Sequence, residues 1–124
     1  MVGIAAAFHL EEDARGGAGG DQLTGGGGDN ILIAGHTAYD QNLLALETIM
    51  KEWLRTDLTF AQRLSLIQNG GDPNEPYLLN SSTVFADTLA DTLTGGGGRN
   101  WYFAHKKLDT ITNFKNGSDH TTPI

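Results

Sequence analysis

Residues 21–34 read DQLTGGGGDNILIA, and 70 positions later residues 91–104 read DTLTGGGGRNWYFA. Nine of the fourteen positions are identical: the Asp, the Leu, the Thr, four Gly, the Asn and the closing Ala. A flexible linker has no reason to repeat a phrase that ends in apolar residues, so these glycine runs read as structure rather than spacer. A shorter period runs inside each copy. Residues 16–24 (GGAGGDQLT), 25–33 (GGGGDNILI) and 95–103 (GGGGRNWYF) share a frame of nine. In each, a glycine-rich stretch of six closes on Asp or Asn, and three residues with an apolar centre follow.

The pattern G-G-x-G-x-D-x-U-x resembles the hemolysin-type (RTX) calcium-binding repeat found in large bacterial secreted and surface proteins. The resemblance implies a parallel β-roll whose glycine turns coordinate calcium. The chemistry of the positions is consistent with that. Glycine reaches φ > 0 without strain, so a short turn can aim several carbonyls at one point. Calcium is a hard cation that takes about six to eight oxygen ligands. On this reading Gly16, Gly17, Gly19, Gly25, Gly26, Gly28, Gly95, Gly96 and Gly98 form the turns around an ion. Asp21 adds a carboxylate at the sixth position, and Asn30 and Asn100 add neutral amide oxygens there. Leu23, Leu32 and Tyr102, at the eighth position, point inward and build a narrow core.

Degenerate turns extend the frame. Residues 86–94 (ADTLADTLT) keep Asp91 and Leu93, and residues 104–112 (AHKKLDTIT) keep Asp109 and Ile111, without the glycines. Residues 34–42 lose even the acidic sixth residue, where Tyr39 stands. Asp and Asn also stabilise turns with no metal present, so Asp21, Asp91 and Asp109 read either as ligands or as turn formers. In the β-roll picture an ion lies between turns two repeats apart. That pairs the turn at 16 with the one at 34 and the turn at 86 with the one at 104, unless the intervening chain brings the turn at 25 onto the second block. No pairing joins two complete glycine turns that both close on Asp. The expected affinity is therefore weak, in the roughly 10⁻⁴–10⁻³ M range of extracellular modules.

Between the two blocks the period becomes helical. Tyr39, Leu43, Leu46, Met50 and Trp53 fall at steps of four, three, four and three, which makes one apolar stripe. Thr37 with Asp40 resembles a capping box, T-x-x-D. A second helix starts near residues 56–59, carries Phe60, Leu64 and Ile67, and stops at Gly70 and Gly71. Ile31 and Ile33 flank Leu32, while Trp101 and Phe103 flank Tyr102, so both triplets are apolar on two faces and read as strands covered on both sides. The helical pair is expected to lie over their outer face, with Trp53 and Trp101 at the junction. The expected fold is thus α+β: a short parallel β-roll of glycine-rich nonapeptide turns interrupted by a helical hairpin that packs on its outer face. One domain spans residues 1–124, with repeat blocks at 16–36 and 86–112, the insert at 37–70, a loop and extended return at 71–85, and a tail at 113–124.

Composition narrows the function. With 15 acidic and 8 basic residues the net charge is −7, a field that repels nucleic acid and anionic lipid and favours cations. The absence of cysteine excludes disulfides and thiolate metal sites. No stretch approaches the roughly 20 apolar residues that cross a bilayer. Residues 1–8 are apolar but short and lack a basic flank, a poor signal peptide. His9, His36, His105 and His120 show no i, i+4 helical spacing and no H-E-x-x-H motif. No serine stands in G-x-S-x-G, and Arg-Asn-Trp after Gly98 rules out a phosphate loop. The reading is a non-enzymatic, calcium-binding structural or interaction module of an extracellular or cell-surface bacterial protein. Its expected partners are calcium and a larger parent chain or protein, with no nucleic acid, and the open edges of a short roll invite a homodimer. The alternative is a metal-free β-roll scaffold for another partner-binding activity or for an enzyme, with Asp87 and Asp91 its only candidate carboxylate pair.

Overall fold

The computed structural model describes residues 6–8, 22–25, 29–73, 76–86 and 90–124. Within them run β1 (Ala6–Phe8), β2 (Gln22–Thr24), β3 (Asn30–Ile33), β4 (Gly35–Thr37), α1 (Leu43–Trp53), α2 (Phe60–Asn69), β5 (Val84–Ala86), β6 (Thr92–Thr94), β7 (Asn100–Ala104), β8 (Thr110–Thr112) and β9 (His120–Pro123). The fold is α+β. One sheet has the order β1-β3-β7-β9 and a second the order β2-β6-β8, and every neighbouring pair in both is parallel.

The long repeat explains the register. Asn30, Ile31, Leu32 and Ile33 lie beside Asn100, Trp101, Tyr102 and Phe103, so the two copies of the phrase pair residue for residue. Gln22–Thr24 lies on Thr92–Thr94 with the same offset, and Thr92–Thr94 lies on Thr110–Thr112. After β6 the chain alternates between the sheets, from β6 to β7, back to β8, and out to β9.

Strand alternation then divides the core in two. Leu23 and Leu93 from the second sheet meet Leu32 and Tyr102 from the first and Ala34 just after β3, with Ile111 packed alongside. This is the inward cluster expected of the eighth positions. The opposite face of the first sheet offers Ile31, Ile33, Trp101 and Phe103, and these pack with Ile49 and Trp53 of α1 and Leu64 and Ile67 of α2. Trp53 and Trp101 are both fully buried, their ring centroids 5.7 Å apart. Burying each aliphatic or Phe side chain of this layer contributes about 1.5–3 kcal/mol.

The helices begin later than the apolar stripe predicts. Residues 35–37 form β4, which pairs antiparallel with β5 and joins the two ends of the insert. A Cβ on Gly35 would stand 2.1 Å from the Phe85 carbonyl oxygen, so this close approach requires glycine. Thr37 and Asp40 do bond, with Asp40 Oδ1 accepting from the Thr37 amide at 2.9 Å and hydroxyl at 2.7 Å, but they shape a turn rather than a helix start. Asn42 caps α1 instead, accepting from the Ala45 amide at 3.1 Å. The buried face of α1 is Ala45, Ile49, Glu52 and Trp53, while Leu43 is 69% exposed. The stripe is rotated because the apolar face of the sheet, not the longest run of apolar residues, selects what is buried. α2 starts as expected: Thr59 and Gln62 form a reciprocal capping box, and Gly70 follows as its cap.

The segment 113–124, expected as a tail, carries a further strand of the first sheet, β9, at His120–Pro123. β9 pairs beside β7, the Trp101 indole N–H donates to Thr122 Oγ1 at 2.9 Å, and Ile124 packs against the helix-facing core.

Candidate functional site at the glycine turns

In-register pairing of β3 with β7 brings the described ends of the glycine stretch at 25, Gly25 and Asp29–Asn30, onto the second block. The Gly25 amide donates to the Thr94 carbonyl at 2.8 Å and the Asn30 amide to the Arg99 carbonyl at 3.1 Å. The turn at 25 therefore meets the second block, the arrangement that the interrupted repeat left open. Asn30 and Asn100 are fully buried, and Asn30 Nδ2 donates to Asn100 Oδ1 at 2.9 Å. Asn100 passes the row on: its backbone amide and its Nδ2 both donate to Asp119 Oδ1, at 2.9 and 3.2 Å. The sixth-position Asn30 and Asn100 thus bond each other, and Asn100 bonds Asp119, one residue past the next such position on the same side.

The carboxylates follow one rule. Asp109 accepts through Oδ2 from the His105 amide of its own turn at 2.8 Å, and through Oδ1 from the Asp91 amide of the preceding coil at 2.9 Å. Asp119 accepts through Oδ2 from the Lys115 amide of its own turn at 3.0 Å, and through Oδ1 from Asn100 of the preceding coil. Each closes its turn and fastens it to the coil before. Asp29 works across the first two turns and the insert, accepting from the Arg99 amide at 2.9 Å and from Arg63 Nη2 at 3.1 Å. Arg63 in turn donates to the Trp53 carbonyl and lies over the Trp53 ring, 4.9 Å from its centroid. Hydrogen bonds to charged groups contribute about 1.5–3 kcal/mol each, less where solvent reaches them.

The carbonyls of the second glycine turn also have protein donors. Gly95 O accepts from Asn113 Nδ2 at 2.8 Å, Gly96 O from Lys115 Nζ at 3.0 Å and Asn100 Nδ2 at 3.3 Å, and Gly98 O from Lys115 Nζ at 2.6 Å. A Cβ on Gly95 would stand 2.1 Å from the Tyr102 hydroxyl and 2.6 Å from Asn100 Cγ, so the turn closes tightly on the inner core. Burial, with the charge of Asp119 adding to it, pushes the Tyr102 phenol up to about 12. With three carbonyls engaged and an ammonium on two of them, the residues of this turn do not fit a calcium ion alongside Lys115.

Of the predicted ligands, Gly25, Asn30, Asp91, Gly95, Gly96, Gly98, Asn100 and Asp109 fall within these stacked turns. Gly16, Gly17, Gly19, Asp21, Gly26 and Gly28 lie outside the described residues, as does Asp87. Among the described residues no group of three or more His, Cys, Asp or Glu is arranged to hold a metal ion. The described histidines stand apart: His36 packs on Phe85, His105 Nδ1 accepts from the Lys107 amide, and His120 lies near the Trp101 ring, while His9 lies outside the described residues. The periodic reading did not single out Asp29, Asn113, Lys115 and Asp119. A signal for Asp119 exists, since H-K-K-L-D at 105–109 and K-N-G-S-D at 115–119 both place Asp four residues after the start of a turn. Comparison with family models, with curated proteins and with solved structures found no match to this chain.

Proposed function

We propose that this chain is a non-catalytic structural and interaction module of a secreted or cell-surface bacterial protein, built as a short parallel β-roll with a helical hairpin over one outer face. The observation that carries the reading is the residue-for-residue pairing of Asn30–Ile33 with the phrase 70 positions on, which sets Asn30 directly against Asn100. Buried asparagines and carboxylates then lock neighbouring turns together. Such a unit gains rigidity by repetition, each coil covering the last, and presents side chains rather than a reaction centre.

Calcium belongs to the first block in this reading. There Gly16, Gly17, Gly19 and Asp21 combine the full glycine frame with a carboxylate, and a chain of net charge −7 favours a cation. A site with a dissociation constant near 10⁻⁴–10⁻³ M, about that of extracellular modules, fills outside a cell and empties in a cytosol. Calcium at 100 times that constant stabilises the folded state by about 2.7 kcal/mol. Thermal unfolding in millimolar calcium against chelator tests this: the midpoint rises with calcium in the parent chain, and the rise is lost in Asp21→Ala. An unchanged midpoint in the parent chain would leave the metal-free β-roll scaffold as the reading.

A further inference from the structure

Carbonyl oxygens that converge on one point repel each other unless a positive group stands there. At the second glycine turn that point holds the Lys115 ammonium, 3.0 Å from Gly96 O and 2.6 Å from Gly98 O. Lys115 follows those glycines by 19 and 17 positions, so it belongs to the turn of the next coil. A turn-to-turn ion in a stack of nonapeptide repeats would lie in the same place, between turns about two repeats apart.

The segment that carries the lysine is fixed by further bonds. The Lys115 amide is fixed by Asp119 Oδ2 at 3.0 Å, and the other oxygen of that carboxylate is bound by Asn100 of the glycine turn. Asp119 therefore links the two turns through their backbone amides. Asn113, in a left-handed conformation at φ 51°, turns its amide onto Gly95 O at 2.8 Å. Lys115 is half-buried, and its contact with Gly96 O is partly shielded while that with Gly98 O faces solvent.

We infer that Lys115 is the built-in cation of this turn: a tethered ammonium stands between residues 95–98 and 113–119 in place of calcium, and the second block forms without metal. The inference rests on the β-roll reading for where calcium would lie, and on the hydrogen bonds for what lies there. A calcium ion approaching the same carbonyls would have to displace Lys115 and would meet its charge at close range.

The test uses the full chain. Amide resonances of Gly96, Gly98 and Lys115 are followed from chelator to about 10 mM calcium, above the weak range expected for such turns. In the parent chain they stay in place. Lys115→Met lowers the unfolding midpoint in chelator by roughly 4–10 °C, the loss expected for a charged hydrogen-bond pair in a domain of this size. Lys115→Arg, which keeps a cation, retains at least half of that difference. Movement of the Gly96 and Gly98 resonances on adding calcium to the parent chain overturns the inference, and so does a Lys115→Met midpoint equal to the parent's. If Lys115→Met does not fold, the parent titration and Lys115→Arg still decide. A calcium effect abolished by Asp21→Ala that leaves Gly96 and Gly98 unmoved belongs to the first block, so the two readings fail separately.

Discussion

Asp109 and Asp119 perform one operation at successive turns, and it is a turn-forming operation: both oxygens of each carboxylate accept from backbone amides. Asp was expected at the first of these positions either as a ligand or as a turn former, and the described geometry supplies the second role directly. Glu52 is a different kind of acid. It is buried on α1, and desolvation together with the charge of Asp72 raises its pKa above the ordinary 4.5, offset in part by Arg55. The folded state therefore holds this proton more tightly than the unfolded chain does. Its contribution to stability is fully present below about pH 4.5 and is lost as pH rises through the raised folded-state value. Urea unfolding across that window should show the parent chain losing stability relative to Glu52→Gln as pH increases. A difference between the two that stays flat with pH would contradict this assignment.

The strands were legible because two periodicities agree. The nine-residue frame places Leu23, Leu32, Leu93 and Tyr102 inward, and these form one cluster. The doubly apolar triplets mark the sheet face that the helices cover. The helix boundaries were less legible. Residues 35–37 carry no frame of their own, and their pairing with 84–86 depends on chain nearly fifty residues away. The buried face of α1 lies about one position from its apolar stripe, since Leu43 is apolar yet exposed while the smaller Ala45 is buried. Lys115 was out of reach for a related reason: its partners lie 17 and 19 positions back and share no repeat motif with it. The element that joins the layers is β7. Trp101 is fully buried against Trp53 and Phe103, and its indole donates to β9. Trp101→Ala should cost about 3–5 kcal/mol in chemical denaturation, because neither the sheet nor the helices can collapse into the space. A loss below about 1 kcal/mol would mean that this layer is loosely packed.

At the scale of the molecule, three layers share one organising surface. The first sheet meets the second sheet through Leu32 and Tyr102 and meets the helical hairpin through Ile31, Ile33, Trp101 and Phe103. Arg63 and Asp29 tie the hairpin to the glycine turns, so the insert is joined to the stack at its turns as well as across its face. All of this depends on one alignment, in which the sequence repeat is also the structural repeat. Parallel pairing in register puts Leu32 directly beside Tyr102, and a slip of one residue would exchange the inner and outer faces of the strand. Nuclear Overhauser contacts between residues 30–33 and 100–103 measure that alignment directly. The account predicts cross-strand contacts of Ile31 with Trp101, Leu32 with Tyr102 and Ile33 with Phe103. Contacts shifted by one residue, or none between these two segments in the folded protein, would contradict it.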